Sequence, residues 1–204
     1  RAPRYRLSAE MIRDNALAAS GLLSRRMGGA GAKPYDLTES FKPMGHDKGE
    51  GLYRRSVYTF WKRTGPAPVM MALDAAKRDV CRAKRENTAT PLQALVLLNG
   101  PQFVEAARTL GERMVREHGD NVGAMVRDTF RTLTSREPSA RETALLRRLY
   151  DEQLAIFEKD TKAAAAFLSV GDSRPASGLA KPRVAAAGVL AKALMNFDES
   201  VVKR

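Results

Sequence analysis

The chain has 204 residues, 44% of them hydrophobic and 28% charged, an ordinary composition for a soluble globular domain with one good core or two small ones. No apolar run approaches the roughly 20 residues that span a bilayer, and the single cysteine, Cys81, excludes an internal disulfide and any cysteine-cluster metal site. The net charge of +12 is uneven, since residues 1–86 hold 18 of the 35 basic residues against 9 acidic ones. That basic half suits an acidic partner or, more plainly, a well-solvated surface. The chain opens on Arg1 with no apolar targeting segment behind it, and reads as an internal piece of a longer protein.

In chain order, Ser8 is placed to cap a first helix running to about Arg25, with Leu7, Met11, Ile12, Ala16, Ala19, Leu22 and Leu23 at helical spacing. Residues 28–52 show no periodicity and read as a long loop. His46 lies in that loop beside Asp47, and the other histidine, His118, falls at a helix end; two scattered histidines make no ligand set. Tyr53 to Lys62 is rich in aromatic and β-branched residues and reads as a strand covered on both faces. Cys81 reads as a small buried apolar residue.

The sharpest local signal is Thr90-Pro91-Leu92-Gln93. Thr90 caps, Pro91 takes the first helical position, and Gln93 closes a capping box. The nearly continuous apolar run Leu92–Leu98 predicts a short helix buried on most sides, Leu95 and Leu98 included, and stopped by Asn99-Gly100-Pro101. A longer helix to His118 follows, then one from Asp120 or Asn121 to about Leu133. A second capping box, Ser139 with Glu142, opens a helix that continues through Ala163–Ala166. Residues 169–182 form a surface loop, and a last helix spans Val184 to about Val202. The fold class is therefore mainly α: an irregular multi-helix domain with one short β element near 56–61 and a long loop at 28–52.

Five segments together carry a resemblance. They are Arg6-Leu7-Ser8-Ala9-Glu10-Met11-Ile12-Arg13-Asp14, the run Tyr53 to Arg63, Thr90 to Leu95 with Leu98-Asn99, Phe103-Val104-Glu105-Ala106-Ala107, and Leu194-Met195-Asn196-Phe197-Asp198-Glu199. In this order they resemble the C-terminal domain of unknown function of planctomycete cytochrome-c-like proteins. Where that family usually has Phe-Asp-Ala-Pro, this chain reads Leu73-Asp74-Ala75-Ala76 and keeps the aspartate. The resemblance implies a single helical domain over 1–204, the C-terminal part of a larger domain in a multidomain parent. It also implies an extracytoplasmic (periplasmic or exported) location and a haem in another domain of the parent. No cofactor belongs to this chain: it lacks the Cys-x-x-Cys-His that would attach a haem. The activity of such domains is not established, so the resemblance carries none over.

Three functions are open at this level. The first is a non-catalytic interaction or scaffolding domain whose partners are the parent's other domains. The second is part of an extracytoplasmic enzyme acting on carbohydrate or another polymer. The third is a binder of nucleic acid or anionic polymer through the basic half, a nucleic acid being the lesser expectation because no reading motif is present. No catalytic or metal residue is assigned. The binding candidates are Arg55, Trp61 and Arg63, where aromatic and basic residues interleave in a way that suits a glycan or anionic polymer, and Asp74, Arg85, Gln93 and Asn99 around the capped helix. For Arg85 the expected partner is Asp74, with Asp198 and Glu199 as rivals.

Overall fold

The computed structural model describes residues 5–34, 38–39, 42–43, 45–62, 67–77, 81 and 83–203. Strand β1 (Tyr5–Arg6) leads into helix α1 (Ala9–Ser20), where Ser8 caps by accepting from the Met11 amide. The helix stops at Gly21, whose φ of 81° provides the left-handed exit, so Leu22 and Leu23 lie beyond it rather than extending it to Arg25. A two-residue ladder, β2 (Thr38–Glu39) with β3 (Lys42–Pro43), sits in the long irregular stretch. Helix α2 (Pro68–Ala72) is one short turn and a half opened by its own proline.

The strand expected over Tyr53–Lys62 is not formed. Its place is taken by two 3-10 turns, Gly49–Tyr53 and Ser56–Tyr58. The β element near 56–61 is reduced to one isolated bridge, in which Ala32 N–H donates to Tyr58 O and Phe60 N–H to Ala32 O. Two physical causes are visible. Gly28 and Gly29, at φ 72° and 85°, take the facing chain out of the extended backbone that a ladder needs. The Arg13 guanidinium takes the carbonyls of Leu52 and Arg54 at 2.6 and 2.8 Å, groups that a strand would have offered to a ladder. Local β propensity yields to a tertiary hydrogen-bond donor.

Helix α3 (Pro91–Asn99) begins with the Thr90–Gln93 capping box, as its sequence predicts. Its burial is the correction. Only Gln93 and Leu97 are fully buried, while Leu92 and Leu95 are 58% and 56% exposed, and Leu98 is half-buried. The helix packs against α2 before it and against the two long helices that follow, α4 (Pro101–His118) and, later in the chain, the one at Lys181–Met195. Those neighbours cover one side and leave the other to solvent. An apolar run says that a helix prefers cover; it does not say that cover is present.

The central element is α4. Helix α5 (Val122–Thr134) starts at Asn121, which accepts from the Ala124 amide. Helix α6 (Ala140–Lys159) opens with the Ser139–Glu142 box and ends at Asp160, which caps a separate helix α7 (Thr161–Leu168) instead of letting α6 run on. Helix α8 (Lys181–Met195) ends short of Val202; the chain then makes α9 (Asp198–Val201) and β4 (Val202–Lys203), which pairs antiparallel with β1.

The largest helix–helix interface joins α4 and α8. It is built from small residues: Ala106, Ala107 and Gly111 on α4, and Ala185, Ala186, Ala187, Gly188 and Ala191 on α8. A Cβ on Gly111 would lie 2.6 Å from the Gly188 nitrogen, so the two backbones are as close as glycine permits. Leu110, Met114 and Phe103 fill the rest of the main core. A smaller cluster of Val126, Phe130, Leu146, Leu190 and Leu194 joins α5, α6 and α8. Among the described residues no helix is long and apolar enough to cross a membrane.

Candidate functional site

Around the start of α3, the capping box reaches further than its own helix. Gln93 Oε1 accepts from Thr90 N–H at 3.4 Å, and Nε2 donates to Asp74 Oδ2 at 2.9 Å and to Thr88 Oγ1 at 3.0 Å. Asp74 Oδ2 also accepts from the Thr88 amide and hydroxyl, both at 2.7 Å. Asp74 holds this position at φ 63°, a left-handed conformation tolerated by aspartate. Burial pushes its carboxyl up, but the Thr88 and Gln93 hydrogen bonds and the Arg6 charge outweigh that, leaving it below the usual range. Two of the sequence candidates, Asp74 and Gln93, therefore meet, bonded to each other and to Thr88.

The other candidates scatter. Arg85 is half-exposed and pairs with Glu10 at 3.0 Å rather than with Asp74, Asp198 or Glu199. Glu199 is instead held by Arg136 at 2.6 Å. Asn99 donates to Leu95 O at 3.2 Å, tying off a loose carbonyl of its own last turn. Trp61 Nε1 donates to Lys77 O at 2.9 Å and its ring packs on the main core. Arg55 is exposed, and Arg63 lies outside the described residues. Cys81 is exposed, not buried. None of the described candidates lines the cleft at the start of α4 or the one between α1, α3 and α5.

Sequence reasoning passed over Arg13, which is 1% exposed. Besides the Leu52 and Arg54 carbonyls it donates to Gln102 Oε1 at 2.8 Å and Ser56 Oγ at 3.1 Å. Next to it, Asp14 Oδ1 accepts from the Ser56 amide and hydroxyl at 2.8 and 2.7 Å. One arginine thus joins α1, the two 3-10 turns and the start of α4. A charged pair set among the apolar positions of α1 was the available signal.

The most chemically loaded cavity opens above the start of α4. It is a cleft of about 370 Å³ with Pro34, Leu52, Pro68, Val69, Pro101 and Phe103 as apolar walls, and His46, Gln102, Glu105 and Asp172 as polar lining. Glu105 is 3% exposed. Its Oε1 accepts from Tyr53 Oη and from the Ser173 amide, both at 2.7 Å. Burial, then the hydrogen bond to Glu105 and the charges of Glu105 and Asp172, hold the Tyr53 hydroxyl far above its ordinary range. Asp172 faces His46 Nε2 at 3.7 Å. Arg108, wholly buried, anchors the loop from below by donating to Ser173 O at 2.8 Å and to Glu112 at 2.5 Å. Tyr53 and Glu105 stand in two of the segments that carry the resemblance, but nothing in their spacing pairs them.

A second cleft of about 370 Å³, between α1, α3 and α5, is lined mainly by Ile12, Ala16, Leu97, Phe103, Leu133 and Met195 and holds no charged group. Among the described residues Glu117, His118 and Asp128 bring ligand atoms within 4.8 Å of one another. The 3.1 Å contact of His118 Nε2 with Asp128 Oδ2 joins the end of α4 to α5 and accounts for that grouping structurally.

Residues 1–150 match the family described as PSD1, protein of unknown function (DUF1553). Neither a curated protein nor a solved structure matches the chain.

Proposed function

The chain belongs to the PSD1 family, and on that premise we propose that it is a non-catalytic interaction or scaffolding domain of a large, exported, multidomain protein whose haem sits in another domain. The location and the haem are carried over from the planctomycete cytochrome-c-like proteins that the sequence resembles. The partners on this reading are the parent's other domains.

One observation supports the non-catalytic reading above the rest. The polar side chains that a polymer-acting enzyme would use around α3 are consumed internally. Asp74 Oδ2 alone accepts from Thr88 N, Thr88 Oγ1 and Gln93 Nε2, and neither Asp74 nor Gln93 lines the cleft at the start of α4 or the one between α1, α3 and α5. A carboxylate oxygen that already takes three such bonds serves to fix its loop, whereas a general acid or nucleophile has to reach substrate.

The test has two arms. The domain is mixed with the separately produced remaining domains of its parent chain and followed by sedimentation velocity, and Gln93→Ala and Asp74→Asn are melted beside the parent and assayed on a panel of glycans. The expected result is a co-sedimenting complex and lower melting temperatures, with no turnover to lose. Variants that melt like the parent but lose a measurable turnover would overturn the reading, as would a failure to associate.

A further inference from the structure

The proposal concerns the cleft at the start of α4, which the scaffolding reading leaves unused. Its ionisable lining runs against the charge of the chain. The protein carries +12 overall, yet among the described residues the titratable groups lining the cleft are two carboxylates, Glu105 and Asp172, and one histidine, His46. The nearest buried guanidiniums point elsewhere: Arg13 to Gln102, Ser56 and two carbonyls, Arg108 to Glu112 and Ser173.

Glu105 is the decisive residue. It is 97% buried by its 3% exposure, and both bonds it receives fall on Oε1. No hydrogen bond to Oε2 is made by the described residues, although that side chain lines the cleft. That oxygen is not among the fully buried polar atoms without a partner, so it is open to the cleft and to a donor arriving there. The carboxylate is also held in place by construction: Gly171, at φ 93°, presses on it so closely that a Cβ there would lie 2.3 Å from Glu105 Cδ. The same loop then places Asp172 in the lining and the Ser173 amide on Oε1.

The remaining walls define the rest of the ligand. Gln102 is already engaged with Arg13 and the Pro34 carbonyl, and proline, leucine, valine and phenylalanine side chains offer no hydrogen bonds, so the bulk of the occupant is apolar. A bare metal ion would not use those walls, and His46, Glu105 and Asp172 do not converge within metal-ligand reach of one another. A polyhydroxylated sugar would bury more donors and acceptors than the lining can pair.

We propose that this cleft binds a small primary ammonium compound with an apolar body, the ammonium group donating to Glu105 Oε2 with Asp172 as the second carboxylate and the body lying between Pro34, Pro68, Val69 and Phe103. Three probes of one shape separate the terms: phenethylamine, phenethyl alcohol and hydrocinnamate, cationic, neutral and anionic at neutral pH. Each is titrated into the whole domain and followed by amide chemical shifts. The amine should move the amides of residues 101–105 and 171–173 and bind about tenfold or more tighter than the alcohol, the span of one charged hydrogen bond; the acid should not bind there. Glu105→Gln should lose at least that factor. Because Glu105 also receives Tyr53 and Ser173, Asp172→Asn and the cleft-filling Val69→Phe are run beside it, the first weakening the amine severalfold and the second abolishing its shifts. Equal binding of amine and alcohol, shifts confined to another part of the molecule, no binding of the amine, or unchanged affinity in Asp172→Asn and Val69→Phe would each overturn the proposal.

Discussion

Replacing Arg13 by methionine tests whether one buried guanidinium holds the N-terminal part of the domain onto α4. The substitution keeps the length and apolar stem of the side chain. It leaves the Leu52 and Arg54 carbonyls and Gln102 Oε1 without the donors now at 2.6, 2.8 and 2.8 Å. Each buried acceptor so exposed to an apolar neighbour costs about 1–3 kcal/mol, or roughly 2–6 kcal/mol for the two buried carbonyls, with a smaller loss at the partly buried Gln102. Against this stands the desolvation of the guanidinium itself, several kcal/mol that the variant recovers. The net expectation is a loss of about 3–5 kcal/mol, the range for removing one partner from a buried charged network. Urea unfolding followed by far-ultraviolet circular dichroism measures it from the shift in midpoint at constant slope. Arg13→Lys, which keeps the charge but not the planar fork, should recover only part of the loss. A loss below about 1 kcal/mol for methionine, or full stability with lysine, would refute the reasoning.

Three further outcomes are expected from the packing and the charges. Leu97→Ala, at 1% exposure, should cost about 2–5 kcal/mol by urea unfolding, whereas Leu95→Ala, at 56% exposure, should cost less than about 1 kcal/mol; equal losses would mean that the outer side of α3 is covered. Gly111→Ala should lower the melting temperature, since its Cβ would stand 2.6 Å from the Gly188 nitrogen and overpacking costs about 1–3 kcal/mol, each worth roughly 2–4 °C in a chain of this size. The Arg136 guanidinium, helped by Ser139, holds the Glu142 carboxyl down at about 2 against its ordinary 4.5. A depressed carboxylate stabilises the fold above its unfolded value, and that contribution is lost as pH falls from about 4.5 towards 2; Glu142→Gln should therefore show a shallower loss of urea midpoint across that window than the parent does.

Where the deciding interaction lies within one turn of chain, the sequence was readable. Both capping boxes, the whole extent of α4 and the start of α5 follow from residues three or four apart. The failures share the opposite trait. The 53–62 segment has every local mark of a strand, but the Arg54 carbonyl, with that of Leu52 just before the segment, goes to an arginine on α1. The apolar run of α3 was read as a buried peg, yet burial depends on neighbours that only the fold supplies. Asp74 and Gln93, both binding candidates, do meet, bonded to each other and to Thr88. Glu105 was quoted only inside a shared segment, because its partners Tyr53 and Ser173 are brought to it by the fold and by no local pattern. Cys81 was expected inside by residue type alone, which is a tendency of populations rather than a property of one position.

The β1–β4 pairing sets Tyr5 directly against Lys203 and Arg6 against Val202. For an engineer this brings the first and last described elements side by side. A short linker joining them, with new ends cut in the exposed 176–178 stretch before α8, gives a circular permutant that retains every helix. For a host chain the same geometry means that whatever enters at Tyr5 and whatever leaves at Lys203 do so side by side.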